Sequence, residues 1–155
     1  MLYDIVIALT EPTSPKVSAL LAEHLVDMYA ASPACSVHAL DADALSSPGI
    51  SFYVAERDGV VVACGAIKSL GVDDAELKSM RTVAAARGQG VGAKLLEHLI
   101  AEARGRGVRA LRLETGTEEY FAPARRLYER HGFVEGESFS DYLLDPNSVY
   151  MHLYL

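Results

Sequence analysis

The sequence predicts an α/β (α+β) fold with a mixed, mostly antiparallel central sheet of about seven strands, flanked by helices. Asp58-Gly59 joins two apolar runs, a pattern typical of a β-hairpin with a type I′ turn. Apolar residues recur at helical spacing after Gly90 and again after Ala124, and short apolar runs separate these stretches. Because helical segments alternate with strands after a hairpin, the helices are expected to pack on one mixed sheet.

The first half of the chain predicts one helix and four strands. Leu2 to Leu9 is expected to be a strand that ends in a turn at Pro12, and a helix is expected from Pro15 to about Ala30. A loop follows, with a helical turn around residues 41–45. An antiparallel meander of three strands then covers residues 50–57, 60–70 and 76–83.

The second half predicts two helices and three strands. A helix with one apolar face begins near Val91 and ends before Gly107, where cations and glycine are favoured. Gly132 stops the second helix. The remaining predicted elements are a strand at 110–115, the helix at 124–131, a strand from Phe133 and a closing strand at 149–155.

Composition narrows the class of protein. The 155 residues predict a single domain over 1–155, and 50% hydrophobic with 23% charged residues is ordinary for a globular chain. The net charge of −7 without a basic run argues against nucleic-acid binding. No signal sequence or membrane-spanning apolar stretch is evident, so a cytoplasmic location without membrane contact is expected.

The cysteines predict neither a metal site nor a nucleophile. Cys35 and Cys64 lie far apart, and no Cys/His cluster has zinc-like spacing, so no metal is expected. Cys64 lies in an apolar run and is interpreted as a small buried hydrophobic residue.

The most informative segment is Arg87-Gly88-Gln89-Gly90-Val91-Gly92, between a predicted strand and an amphipathic helix. Alternating glycines allow a sharp turn and a close approach of ligand to backbone. The first N–H groups of the helix and its dipole would favour a pyrophosphate there. A flexible turn that caps the helix is the alternative. The spacing fits neither a Walker A loop nor the dinucleotide-binding G-x-G-x-x-G pattern.

Three segments together resemble the GNAT superfamily of acyl-CoA-dependent N-acyltransferases. Arg87-x-x-Gly90-x-Gly92 is similar to the family's R/Q-x-x-G-x-G/A signature. The strand at 76–83 resembles its central strand, and residues 124–133 resemble its A-x-x-L-Y-x-x-x-G-F segment. Phe121 departs from the family, which often has asparagine seven positions before the tyrosine. This departure puts one contact with the cofactor arm in doubt.

The resemblance implies acetyl-CoA as cosubstrate, held by main-chain amides from Gln89 to Ala93. Lys94 is either a further phosphate contact or a solvated lysine. The backbone of Val83 is expected to run beside the pantetheine arm, with its N–H polarising the thioester carbonyl. The full set of expected cofactor-binding residues is Met80, Thr82, Val83, Arg87, Gly88, Gln89, Gly90, Val91, Gly92, Ala93 and Lys94.

The resemblance also implies a general base and a general acid. Glu76 is the candidate base, acting through water, because an amine arrives mostly as ammonium and must lose a proton. The alternative is a strand-end glutamate that faces solvent. Tyr128 is the candidate acid for the leaving thiolate, and the alternative is a core tyrosine with a satisfied hydroxyl.

Other polar residues are weighed for lesser roles. His24, His98 and His131 are interpreted as structural. Acceptor contacts are expected among residues in loops that border the acceptor site in the superfamily: His38, Asp41, Tyr120, Phe121, Asp141 and Tyr142. Arg125 and Arg126 form either a solvated helix face or a contact to cofactor phosphate.

The expected reaction is transfer of an acetyl group from acetyl-CoA to a primary amine of a small molecule or peptide, by direct attack. An acyl-CoA-binding sensor without turnover and a purely structural domain are the alternatives. The sequence does not identify the acceptor, because acceptor loops vary and fold does not fix function. Dimerisation through the C-terminal strands is common in the superfamily, so a homodimer is a candidate assembly.

Overall fold

The computed structural model describes residues 4–31, 42–140 and 142–155 as one mixed sheet with helices on both faces. The helices are α1 (Pro15–Ala31), α2 (Ala42–Leu45), α3 (Val91–Gly105) and α4 (Ala122–Arg130). The strands are β1 (Ile5–Leu9), β2 (Ile50–Arg57), β3 (Val60–Ser69), β4 (Asp74–Thr82), β5 (Ala110–Gly116), β6 (Val134–Gly136) and β7 (Ser148–Tyr154). This order confirms the predicted one. Leu2 and Tyr3, predicted to begin β1, lie outside the described residues.

The seven strands lie in the order β1-β2-β3-β4-β5-β7-β6. Only β4 and β5 pair in parallel; the other neighbours are antiparallel. The predicted mixed, mostly antiparallel sheet is therefore confirmed. Asp58 and Gly59 both have positive φ, at 51° and 78°, as the predicted type I′ turn requires.

Two buried cores lie on opposite faces of this sheet. On one face α3 and α4 pack against the strands through residues such as Leu95, Leu99 and Tyr128. On the other face α1 and α2 cover a smaller core that includes Val17 and Leu45. Two 3₁₀ turns, at Ala84–Ala86 and Glu119–Phe121, were not predicted because three residues are too few to show a period.

A β-bulge in β4 determines which side chains face α1. Lys78 pairs with Ala66 and Arg81 pairs with Cys64, so two residues of β4 between these pairs, Ser79 and Met80, oppose one residue of β3. Ser79 within the bulge has a φ of 56°, in the left-handed region. Since Ala66 and Cys64 belong to the core under α1, Lys78 and Arg81 both face that helix.

The strands β4 and β5 form a wedge. They pair only over three positions, the last being Glu76 opposite Arg112, although both strands continue beyond it. Past this point the strands separate, and residues of both strands line the smaller of the two cavities of the candidate site, whereas the larger is lined by β4 without β5. None of the helices in the three described ranges is both long and apolar enough to cross a membrane.

Candidate active site

A cavity of about 570 Å³ lies between β4, the start of α3 and α4. It brings together most of the predicted cofactor-binding residues, which lie on its wall: Met80, Thr82, Arg87, Gly88, Gly90, Val91, Gly92 and Ala93. Arg126 and Arg130 from α4 line the same cavity. In a chain with a net charge of −7, this grouping of arginines around one cavity suits a ligand with several phosphates.

The start of α3 offers main-chain donors to that cavity. Gly90 precedes the helix with a φ of 81°, a conformation that favours glycine, and no side chain caps the helix. The first helical hydrogen bond runs from the N–H of Lys94 to the carbonyl of Gly90, at 3.1 Å. The N–H groups of Val91, Gly92 and Ala93 therefore have no acceptor within the helix, and they form an anion site together with the helix dipole.

Two details of the predicted cofactor site were wrong. The N–H of Val83 donates to the carbonyl of Val62 at 2.9 Å, so it pairs with β3 and is not available to a thioester carbonyl. The backbone N–H and carbonyl of Thr82 point away from β3, towards the other edge of β4. On that edge the carbonyl of Thr82 accepts a hydrogen bond from Arg87 Nε at 3.1 Å. Lys94 is half-buried and its Nζ donates to the carbonyl of Ile5 at 3.2 Å, so the solvated lysine was wrong, whereas the phosphate contact stays a prediction.

The side chain of Gln89, a predicted cofactor-binding residue, is hydrogen-bonded away from the large cavity. The side-chain amide accepts from Arg57 at 2.7 Å and donates to the carbonyl of Ala85 at 3.1 Å. These contacts tie the glycine-rich turn to the β2–β3 hairpin. The Gln89 side chain therefore does not line the cavity. Its hydrogen bonds hold the turn without occupying the first main-chain N–H groups of α3.

The two arginines of α4 have different environments. Arg125 is half-buried and donates to the carbonyls of Gly116 and Glu118, so the prediction of a solvated face was wrong for this residue. Arg126 is exposed and lines the large cavity. Phe121 is 7% exposed and supplies an apolar wall where the family often has asparagine.

A second, smaller cavity of about 90 Å³ lies on the α1 side of the wedge. Glu76 lines it and is only 2% exposed, so the solvent-facing alternative for this residue was wrong. Its Oε2 accepts from Lys78 Nζ at 3.1 Å and from the hydroxyl of Tyr142 at 2.6 Å. Among the described residues no hydrogen bond uses Oε1, which is therefore the oxygen available to a substrate.

Tyr128 lies where the two cavities meet. Its side chain is 6% exposed, packs edge-on against Phe133 with 5.7 Å between ring centroids, and lines both cavities. Burial raises the pKa of Tyr128, so its hydroxyl keeps its proton at neutral pH. Within the described ranges the hydroxyl has no hydrogen-bond partner, which removes the alternative of a satisfied core tyrosine.

A buried arginine ties α1 to this region and was not identified from the sequence. The guanidinium of Arg81 contacts Glu23, lies 2.6 Å from Asp27, and donates to the hydroxyl of Tyr120 at 2.9 Å. Strict alternation along β4 would place Arg81 on the other face of the sheet, and only the bulge at Ser79 brings it under α1. Tyr120, expected at the acceptor site, is part of this network.

His24 from α1 is a third group at the junction. It is 8% exposed and lines both cavities, so its interpretation as a buried histidine is confirmed. Burial, with the nearby charge of Arg81, lowers the pKa of His24 from 6.5 to about 4. The ring is therefore neutral at physiological pH.

The neutral state of His24 predicts a loss of stability in mild acid. Below pH 6.5 the unfolded chain binds a proton that the folded protein rejects until about pH 4. Between pH 7 and pH 5 the free energy of unfolding should fall by about 2 kcal/mol more in the wild type than in His24→Gln, measured by urea unfolding. Equal losses in the two proteins would contradict the assignment.

The remaining residues that were singled out have structural surroundings or lie outside the described residues. His131 contacts the carbonyl of Leu127 and Glu97, and His98 packs against Tyr53. Burial raises the pKa of Cys64 to about 12, as expected for an inert thiol. Four residues lie outside the described ranges: Cys35, His38, Asp41 and Asp141. Within those ranges no cluster of three or more His, Cys, Asp or Glu could hold a metal ion.

Comparison with known proteins places this geometry in a family. Residues 17–133 match the model of the acetyltransferase (GNAT) family. The chain is 44% identical over 145 residues to the uncharacterized N-acetyltransferase YsnE of Bacillus subtilis (strain 168), covering 94% of this chain and 96% of that protein. It is 40% identical over 155 residues to the IAA acetyltransferase of Azospirillum brasilense, covering 96% of each.

A solved structure agrees over nearly the whole chain. The crystal structure of a Klebsiella pneumoniae subsp. pneumoniae protein assigned to the acyl-CoA N-acyltransferases superposes with a TM-score of 0.81. The two proteins are 31% identical, and the alignment covers 97% of each chain. The likeness therefore extends beyond residues 17–133 to all seven strands.

Proposed function

Because the chain belongs to the acetyltransferase (GNAT) family and is an acetyl-CoA-dependent N-acetyltransferase, we propose that Glu76 is its general base and Tyr128 its general acid. The acceptor is a primary amine of a small molecule or peptide. The observation that carries this proposal is the position of Tyr128 on the shared wall of the two cavities. One cavity suits a phosphate-bearing cofactor, and the other holds a carboxylate.

The large cavity is proposed to hold acetyl-CoA, which supplies an activated acetyl thioester when bound. The N–H groups of residues 91–93 would contact the pyrophosphate, with Arg87, Arg126 and Arg130 around it. The free edge of β4 near Thr82 replaces Val83 as the expected backbone neighbour of the pantetheine arm, because the N–H of Val83 pairs with β3. The positive φ of Gly88, at 75°, and the open space beside it fit this use.

In the small cavity, Glu76 takes the proton of the incoming ammonium through Oε1 or an intervening water. The neutral amine then attacks, and the hydroxyl of Tyr128 protonates the departing thiolate. Both groups suit these roles, since the carboxylate is held by fixed donors and the phenol keeps its proton. Direct attack requires only that both substrates be bound at the junction together.

The small cavity favours a narrow acceptor. Its volume of about 90 Å³ admits the amine and a few further atoms, so bulky parts of the acceptor must remain outside. Its walls combine apolar side chains, such as Met28 and Leu113, with the polar end at Glu76. A primary amine on a slender apolar or polar chain fits this combination.

The experiment that tests the function is thiol release from acetyl-CoA with a panel of amines. The panel should contain linear diamines, amino acids and short peptides with free N-termini, and IAA is tested beside it because the name of the Azospirillum relative suggests that compound. At least one primary amine should accelerate thiol release above hydrolysis, with a matching mass increase of the amine. The proposal would be contradicted if well-folded enzyme bound CoA but no amine of an extended panel accelerated thiol release.

A negative charge introduced at the start of α3 should weaken CoA binding without lowering the stability of the fold. Ala93 lies in the first turn, where an aspartate carboxylate would bond free N–H groups and favour the helix dipole. We expect Ala93→Asp to weaken CoA binding about tenfold or more, by repulsion and by occupying the anion site, without lowering the melting temperature.

Ala93→Asn is the matched control, with the same shape and no charge. Calorimetry should show that the dissociation constant of CoA rises at most about threefold in this variant. The corresponding loss of binding free energy is smaller than that of one typical hydrogen bond. If the Asp and Asn variants bind CoA equally well, the pyrophosphate does not lie at this helix start.

A further inference from the structure

The polar end of the small cavity is a hydrogen-bonded cluster that includes the side chains of Glu76, Lys78 and Tyr142. Lys78 Nζ lies 3.1 Å from Glu76 Oε2 and 2.8 Å from the hydroxyl of Tyr142, which itself lies 2.6 Å from Oε2. The side chains of Lys78 and Glu76 are 7% and 3% exposed. Lys78 also faces the ring of Tyr142, 5.4 Å from its centroid.

The direction of each hydrogen bond follows from the chemistry of the groups. A lysine ammonium can only donate, so the oxygen of Tyr142 accepts from Lys78. The single proton of that hydroxyl is then given to Oε2 of Glu76. Burial, with the carboxylate of Glu76 close by, raises the pKa of Tyr142, so the hydroxyl keeps the proton it donates.

Burying the Lys78–Glu76 ion pair lowers the free energy gained on folding, compared with apolar side chains at the same positions. A buried ion pair loses hydration on both partners, and replacing it with well-packed apolar side chains is often neutral or stabilising. The strand partner of Lys78, Ala66 on β3, belongs to the apolar core under α1, so an apolar residue could pack at this position. A role in the chemistry of the small cavity accounts for the cluster better than a role in stability.

From these contacts we infer that Lys78 and Tyr142 are positioning residues that hold Glu76 ionised, with Oε2 fixed and Oε1 turned to the acceptor. This inference rests on the proposed role of Glu76 as base. Lys78 supplies the opposite charge that favours the carboxylate. Tyr142 comes from the segment between β6 and β7, so the base is completed by a residue from a different part of the chain.

Other titratable groups also face Glu76 across the small cavity. Glu114 from β5, His24 from α1 and Tyr128 from α4 line it, and Arg112 pairs with Glu76 in register while its side chain contacts Asp74. His24 and Tyr128 are neutral at pH 7, and Glu114 is a second carboxyl group on this wall. Among the described groups on this wall, Lys78 therefore supplies the positive charge in direct contact with Glu76.

The test is a double-mutant cycle that uses Lys78→Met, Glu76→Gln and their combination. Turnover is followed as thiol release from acetyl-CoA with the most active amine of the panel, and CoA affinity is measured by calorimetry. Lys78→Met should lower turnover about tenfold at pH 6 and much less at pH 9, because the opposite charge that favours the carboxylate matters most where protons are abundant. In the Glu76→Gln background the same change should alter turnover less than about twofold.

Conservative variants of Lys78 and Tyr142 distinguish a role in positioning Glu76 from a role in stabilising the fold. Lys78→Arg should keep most of the turnover and the wild-type pH profile, since it keeps the charge. Tyr142→Phe should lower turnover about threefold at pH 6, and the same substitution should have no effect on turnover in the Glu76→Gln background. CoA affinity should stay within about twofold throughout. If Lys78→Met does not fold, Tyr142→Phe and Lys78→Arg decide the question by the same cycle.

The outcomes distinguish this inference from the proposed function. A loss of turnover that is equal at both pH values, or that persists in the Glu76→Gln background, would assign Lys78 a structural role and overturn the inference. Turnover within twofold of wild type for Lys78→Met at pH 6 would overturn it as well. Wild-type turnover in Glu76→Gln alone would instead overturn the base assignment, and the inference with it.

Discussion

Replacing Tyr128 with phenylalanine should lower turnover about 100-fold while leaving the dissociation constant of CoA within about twofold of wild type, because general acid catalysis typically contributes this much. The phenol is buried where the two cavities meet and keeps its proton at neutral pH. Without the hydroxyl, the thiolate must leave unprotonated or take its proton from water. Thiol release with the most active amine and calorimetry with CoA measure the two quantities.

The phenylalanine variant should fold as well as the wild type. The ring packs against Phe133 in the core, and the hydroxyl has no partner among the described residues that would be left unsatisfied. Tyr154→Phe is the matched control, since Tyr154 is 68% exposed at the end of β7. Turnover of Tyr128→Phe equal to that of this control would remove Tyr128 from the mechanism.

Glu76→Gln is expected to lower turnover at pH 7 by about 100-fold, again the size expected for loss of a general base. The amide keeps the shape of the side chain, and its oxygen can still accept from Lys78 and Tyr142. It cannot take a proton from the ammonium. The defect should shrink as pH rises towards 10, because the amine then arrives neutral without help.

The pH dependence makes this second prediction specific. A defect of the same size from pH 7 to pH 10 would mean that Glu76 binds or orients the acceptor and does not remove its proton. Glu135→Gln is the control, the same substitution at an exposed position on β6. CoA affinity should match the wild type in both variants, since Glu76 lines only the small cavity.

Most of the fold could be predicted because its signals are local. The Asp58-Gly59 turn, the apolar face of α3 and the glycine that stops α4 each depend on a few neighbouring residues. The unpaired main-chain donors at the start of α3 were also predictable, because they follow from the glycine pattern and the helix after it. Element boundaries agree within a few residues for the same reason.

The acceptor side could not be predicted to the same depth, because it depends on contacts between distant segments. The pairing of Lys78 with Tyr142 joins residues 64 positions apart, and that of Arg81 with Glu23 joins residues 58 apart. The two-residue spacing of Glu76 and Lys78 on one strand was the available signal for their contact. The wrong expectation for Val83 arose because the sequence does not show which edge of β4 its N–H faces.

The left-handed residue at Ser79 gives β4 two different wall surfaces. The extra residue there resets the count of side chains along the strand, so Glu76, Lys78 and Arg81 share one surface while Met80 and Thr82 share the other. Without this reset, strict alternation of the same residues would turn Met80 and Thr82 towards α1 and Arg81 towards α3. The backbone conformation of one serine therefore decides which residues of β4 face α1 from Met80 onwards.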